Sequence, residues 1–402
     1  MTNPNRCFNR VTTVLSRRVS AKLALAGLLM LVLISAPAAP AQTFTLLYQF
    51  RSGTGGINPY AGVVGDAKGN LYGTTYNDGA FASGTVFRIN ALDKEKVLHS
   101  FSQTGGDGAF PWYGTLARDS SGSLYGTTLT GGIDGQLCCG TIFKVTASGM
   151  ETVLYRFTGS GGDGFPQAGV VRDSSGNLYG MTPNGGTSNA GTVFKLDPTG
   201  KKTVLYSFTG SNDGGEPFAG LVLDAKGNLY GTTPQGGSSL AGTVFRVDPT
   251  GKETVLYNFT GSNDGGPPQA GVIRDSHGNL YGTTYLGGTG GAGTVFKVDA
   301  HGQETVLHNF TGSTDGWLPS GGSLVLDSAG NLYGTTPQGG SNDFGVVFKI
   351  DTKGNETILH TFSGSDGKVP YGTLALDKAG NLYGTTYAGG AYGGGVVFKI
   401  AP

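Results

Sequence analysis

Asp-Gly steps recur along the chain at Asp107, Asp163, Asp213, Asp264, Asp315 and Asp366. Carboxylates repeated in this way would suit a cation such as Ca²⁺, or the hydroxyls of a glycan. A calcium ion takes roughly six to eight oxygens, and one Asp per segment does not supply them locally. Capping of a turn ahead of the following proline is therefore the preferred reading, and no cofactor is expected. The histidines follow the same logic. His99, His308 and His360 stand where Tyr48, Tyr155, Tyr206 and Tyr257 stand elsewhere, while His277 and His301 fall in turns. None has the H-x-x-x-H spacing of a metal site, so packed or turn histidines are expected.

Cys138 and Cys139 are adjacent. They can form a vicinal disulfide in an oxidising compartment, or an intermolecular bond, but cannot join distant parts of the chain to each other. No G-x-S-x-G or comparable nucleophile motif occurs, and Glu151, Glu253, Glu304 and Glu356 recur at one position of the repeat. No catalytic residue is assigned. The aromatics Trp112, Tyr113, Trp317, Tyr285, Tyr387 and Tyr392 lie in or beside glycine-rich connections. They could stack on sugar rings or anchor a protein partner; the competing role is to cap the hydrophobic interior.

The elements that position these residues are repeats. Leu-Tyr-Gly occurs seven times, with tyrosines at Tyr72, Tyr125, Tyr179, Tyr230, Tyr281, Tyr333 and Tyr383, at intervals of 50 to 54 residues. That period matches propeller blades and exceeds those of helical or leucine-rich repeats. Each unit holds four short apolar runs bounded by turn residues. In the fourth these are strands a (219–224), b (228–233), c (242–247) and d (253–259). An Asp stands three residues before a Gly between a and b, from Asp66 to Asp377, as a tight turn with a positive-φ glycine requires. Residues 43–50 read as a strand d with no a, b or c before it, and the chain stops after a strand c. The fold expected is all-β: a seven-bladed β-propeller of four-stranded antiparallel blades, closed by the N-terminal strand pairing into the last blade, formed by 371–400.

The recurring text G-T-V-F-K-(V/L), E-T-V-L-Y-x-F-T-G-S-x-D-G and D-x-x-G-N-L-Y-G-T-T resembles the GloVer (Gloeo-Verruco) tandem repeat over essentially all of 43–402. The resemblance implies an exported, propeller-like repeat protein and no defined activity. Members often carry a C-terminal sorting tail; this chain ends at Ala401-Pro402, so surface anchoring is not expected.

Residues 1–41 have the parts of a signal peptide: Arg6, Arg10, Arg17, Arg18 and Lys22, an apolar run from Leu23 to Ile34, and a small-residue stretch with cleavage expected near Ala41. The remainder, 42–402, carries a net charge of about −5 and no basic stripe, which argues against nucleic acid. It contains no second apolar stretch of spanning length. A secreted or periplasmic, monomeric, non-catalytic binding or scaffold propeller is expected, with a glycan or protein on the long-loop face. The alternatives are an extracellular polysaccharide-acting enzyme and a purely structural surface component.

Overall fold

The computed structural model describes residues 42–133, 139–159 and 163–402. The expected signal peptide and Cys138 lie outside the described residues.

Each blade is organised by its first turn. In blade 4, Asp224 Oδ1 accepts from the Lys226 and Asn228 amides, both at 2.9 Å. Its Oδ2 accepts from Asn228 Nδ2 at 2.9 Å and from the Tyr230 hydroxyl at 3.0 Å. The tyrosine of Leu-Tyr-Gly thus locks the turn as well as packing. Gly227 takes φ 84°, which its lack of a Cβ permits. Burial opposes ionisation of Asp224, but the bonds from Asn228, Tyr230 and Lys226 outweigh it and hold the carboxyl below its usual range.

The turn joins strand a (Val222–Leu223) to strand b (Leu229–Thr233); strands c (Thr243–Val247) and d (Glu253–Asn258) follow. Seven such four-stranded antiparallel sheets form a seven-bladed propeller. The seventh is completed by Thr43–Gln49, paired with Val396–Ala401 from Thr43↔Ala401 to Gln49↔Val396. Strand a is shorter than its apolar run suggests. Only Val222 and Leu223 pair with strand b; upstream, the backbones of neighbouring blades converge. A Cβ on Gly271 would lie 2.6 Å from the Gly220 carbonyl oxygen, and one on Gly62 would lie 1.8 Å from that of Thr373.

The core lies between blades. Tyr230, Val244 and Phe259 of blade 4 pack with Val272, Leu280, Phe296 and Val298 of blade 5. An edge-to-face phenylalanine pair sits in each seam, such as Phe259–Phe296 at 5.0 Å and, at the closure, Phe50–Phe87 at 5.1 Å.

The long connections are less free than their glycine content suggests. In each blade the d-to-a and b-to-c connections are bridged, as at Gly108–Ala109 with Thr130–Gly131, or at Gly215↔Gln235. Among the described residues no helix is long and apolar enough to cross a membrane.

Candidate functional site

The d-to-a connections share one construction. The residue before their proline is left-handed in five of them: Asn58, Phe110, Glu216, Leu318 and Val369, at φ 55–61°. That conformation is costly for any residue with a Cβ, and most of all for a β-branched one. It is held by neighbours on both sides. The Asn58 amide donates to Gly394 O at 2.8 Å, and its carbonyl accepts from the Tyr76 amide at 3.0 Å. The Val369 amide donates to Phe344 O, and its carbonyl accepts from the Tyr387 amide.

In those five the clamp fixes the residue after the proline, which is Tyr60, Trp112, Phe218, Ser320 or Tyr371; the other two connections carry Gln167 and Gln269 there. Tyr60 is the hub. Its ring centroid lies 4.4 Å from Tyr387, 5.3 Å from Tyr113 and Tyr371, and 5.9 Å from Trp112. Trp112 stacks on Tyr113 at 4.9 Å, and Tyr76 joins Phe110 at 5.2 Å. On its other side Tyr113 lines a small cavity with Phe218, Gln269 and Ser320. Six of the seven blades therefore contribute to one aromatic mouth. Burial first, then the neighbouring hydroxyls, push the Tyr60 and Tyr113 hydroxyls upward, so both stay neutral donors. Tyr285 acts electrostatically on Tyr113 and Tyr371. Among the described residues, the buried Trp112 indole N–H has no hydrogen-bond partner.

Of the aromatics singled out from sequence, Trp112, Tyr113 and Tyr387 meet in the mouth, with Tyr285 beside it. Trp317 forms a backbone bridge with Gln338 and is 39% exposed. Tyr392 is 59% exposed beneath Arg51. Neither packs against another aromatic ring among the described residues. Tyr60, Tyr76 and Tyr371 were missed; the signal for Tyr60 and Tyr371 is their register, one residue past the proline. A cleft of about 650 Å³ lies instead at the short turns of blades 1 and 7, around Asp66 and Asp377.

The recurring aspartates lie in the seams between blades. Asp213 accepts from the Tyr206 hydroxyl at 2.9 Å and from the Thr209 amide at 2.8 Å; Asp264 and Tyr257 repeat this. Asp107, Asp315 and Asp366 face His99, His308 and His360, and Asp163 pairs with Lys202. Cys139 is buried and disulfide-bonded, with its partner sulfur outside the described residues.

The next blade's strand d adds a glutamate to most seams. Burial, and then Asp213, push Glu253 up to about 7; burial and Asp264 do the same to Glu304. A carboxyl raised in the fold stabilises while protonated, so the contribution is complete below about pH 4 and lost as pH rises through 7. The turn aspartates, held low, act only at more acid pH. Glu253→Gln with Glu304→Gln should leave the urea midpoint nearly unchanged at pH 4 and raise it at pH 8. The gain should be on the order of 1 kcal/mol per site after solvent screening. An equal offset at both pH values would contradict the assignment.

The fold is shared with the extracellular domains of BT3049 and BT4673 from B. thetaiotaomicron, each assigned to a hybrid two component system. The first aligns with TM-score 0.57 and 14% identity over 90% of this chain and 41% of its own; the second with 0.58 and 11% over 89% and 39%. The chain thus spans about two fifths of either relative's length. No curated protein matches it. The Gloeobacter/Verrucomicrobia repeat model matches residues 37–239, 113–325 and 220–402, which together span every blade. The chain belongs to the Gloeobacter/Verrucomicrobia repeat family.

Proposed function

We propose that this protein is an exported, non-catalytic propeller that binds glycan on its long-loop face. The observation that carries the reading is the aromatic mouth. At the position after the proline, Tyr60, Trp112, Phe218 and Tyr371 are joined at the mouth by Gln269 and Ser320, and none of these is charged. Aromatic faces suit the C–H faces of sugar rings, while amides and hydroxyls suit their hydroxyl groups. The unpartnered Trp112 N–H is a further donor that a ligand or water could satisfy.

Export rests on the signal-like residues 1–41, and the extracellular origin of the two structural relatives is in keeping with it. A secreted or periplasmic monomer follows from the same reading. Hydrolysis of a polysaccharide would call for paired carboxylates at the mouth. Among the described residues, Asp213 with Glu253 and Asp264 with Glu304 pair in the seams instead.

Screening the purified protein on an array of neutral and acidic oligosaccharides should give binding without turnover. Chain-wide there are two tryptophans, so Trp317→Phe leaves Trp112 as the reporter. Ligand should then change its fluorescence, and Tyr60→Ala with Trp112→Ala should weaken binding at least about tenfold, as for buried aromatic anchors. Undiminished binding in that double variant would sink the mouth assignment.

A further inference from the structure

Between strands d of blades 5 and 6, His308, Asp315 and Glu356 each present one ligand atom, all within 4.8 Å of one another. His308 Nε2 lies 3.7 Å from Glu356 Oε1 and 4.0 Å from Asp315 Oδ2. Both His308 Nε2 and Glu356 Oε1 are buried, and among the described residues neither has a hydrogen-bond partner. An imidazole nitrogen and a carboxylate oxygen left unpaired beside a second carboxylate need a proton or a cation between them. Bonds of about 2.0–2.2 Å at tetrahedral angles place ligand atoms roughly 3.4 Å apart, so small side-chain rotations would close this set around one ion.

The other seams act as internal controls. Between blades 2 and 3, Lys202 replaces the glutamate and its ammonium bonds to Asp163, which shows that a cation fits this position. Between blades 3 and 4, and again between 4 and 5, a tyrosine replaces the histidine and bonds the Asp through its hydroxyl. Between blades 6 and 7, His360 bonds Asp366 at 2.9 Å, but Phe44 takes the glutamate position and stacks on the imidazole at 3.7 Å. His99, Asp107 and Glu151 repeat the full set between blades 1 and 2. There His99 Nε2 already meets Asp107 Oδ2 at 3.2 Å, and the positive Arg156 acts on Glu151. The seam between blades 5 and 6 is thus the one with two ligand atoms unpaired and no competing cation among the described residues.

We propose that His308, Asp315 and Glu356 form a binding site for a divalent transition metal of the Zn²⁺ class, clamped across the seam between blades 5 and 6. One nitrogen and two carboxylate oxygens suit Zn²⁺ better than Ca²⁺ or Mg²⁺, which favour all-oxygen shells. Three protein ligands leave a fourth position for water. Because the ligands come from two blades, the bound ion ties them together and stabilises the ring by mass action.

The test uses untagged protein stripped with chelator, titrated with Zn²⁺ by calorimetry and with Co²⁺ by visible absorption. Wild type should bind one ion tightly, show the d–d bands of a low-coordinate cobalt site, and melt higher with Zn²⁺ than without. His308→Tyr inserts the residue that other seams carry, so it should fold. It should weaken the tightest site by about a hundredfold or more, beyond what loss of a supporting contact costs, and abolish the melting shift. Glu356→Gln should do the same while keeping shape, and His360→Tyr should change nothing. Wild type that binds no better than His308→Tyr, or tight binding that survives both ligand substitutions, would overturn the proposal. Glycan binding is read separately, so failure of either reading leaves the other standing.

Discussion

A chain lacking residues 43–50 is expected to lose its native fold rather than to form a slightly open ring. Thr43–Gln49 supplies the outer strand of blade 7. Phe44 and Leu46 pack on the blade 6–7 core, while Phe50 is fully buried with Phe87 in the blade 7–1 core. Losing the Phe50 side chain alone should cost about 3–5 kcal/mol. The whole strand adds its ladder and two further apolar contacts, against a typical domain stability of only about 5–15 kcal/mol. The deletion also bares Val396–Ala401 (VVFKIA), an apolar strand with a free edge, which favours aggregation. Circular dichroism and size exclusion should therefore show a non-cooperative, associating species. Phe50→Ala should remain folded with a lowered urea midpoint. A truncated monomer that melts cooperatively within a few degrees of the full chain would contradict the closure.

Much of this architecture was legible because it depends on residue types at fixed spacing. The Leu-Tyr-Gly interval gave the blades, and the unmatched strand at 43–50 gave the ring closure. The Asp turns were legible as turns, but the bond from Tyr230 to Asp224 was not, since a strand tyrosine reads as packing. What stayed hidden depends on contacts between repeats. His308 and Glu356 belong to different units and look unrelated until adjacent strands d bring them to 3.7 Å. Likewise Tyr60 and Tyr387 come from the two ends of the chain and meet only when the ring closes. Trp317 stands in a long connection as the sequence places it, yet its backbone serves the bridge every blade makes. Composition marks such residues as unusual; their register within the repeat decides where they go.

The same register predicts a sharp non-additivity in the core. Gly282 of strand b pairs directly with Phe296 of strand c, and a Cβ there would lie 2.6 Å from Phe296 Cζ and 3.3 Å from Val272 Cγ1. Phe296 is fully buried and cannot retreat, because its ring also meets Phe259 at 5.0 Å across the seam. On backbone grounds alone Gly282→Ala should gain about 0.5–1 kcal/mol, since glycine weakens a strand interior. The steric term has the opposite sign and is larger: overpacking a close-packed core costs about 1–3 kcal/mol. Gly282→Ala should therefore destabilise. Phe296→Ala should cost about 3–5 kcal/mol through lost burial and the cavity left behind. In the double variant the new methyl occupies space the ring has vacated, so the clash vanishes and the strand preference returns. The pair should be more stable than the sum of the single changes predicts, by about 1–3 kcal/mol. Urea unfolding of the four proteins measures this directly. Additivity within about 0.5 kcal/mol, or a stabilising Gly282→Ala, would mean that the glycine is not kept open by the ring opposite it.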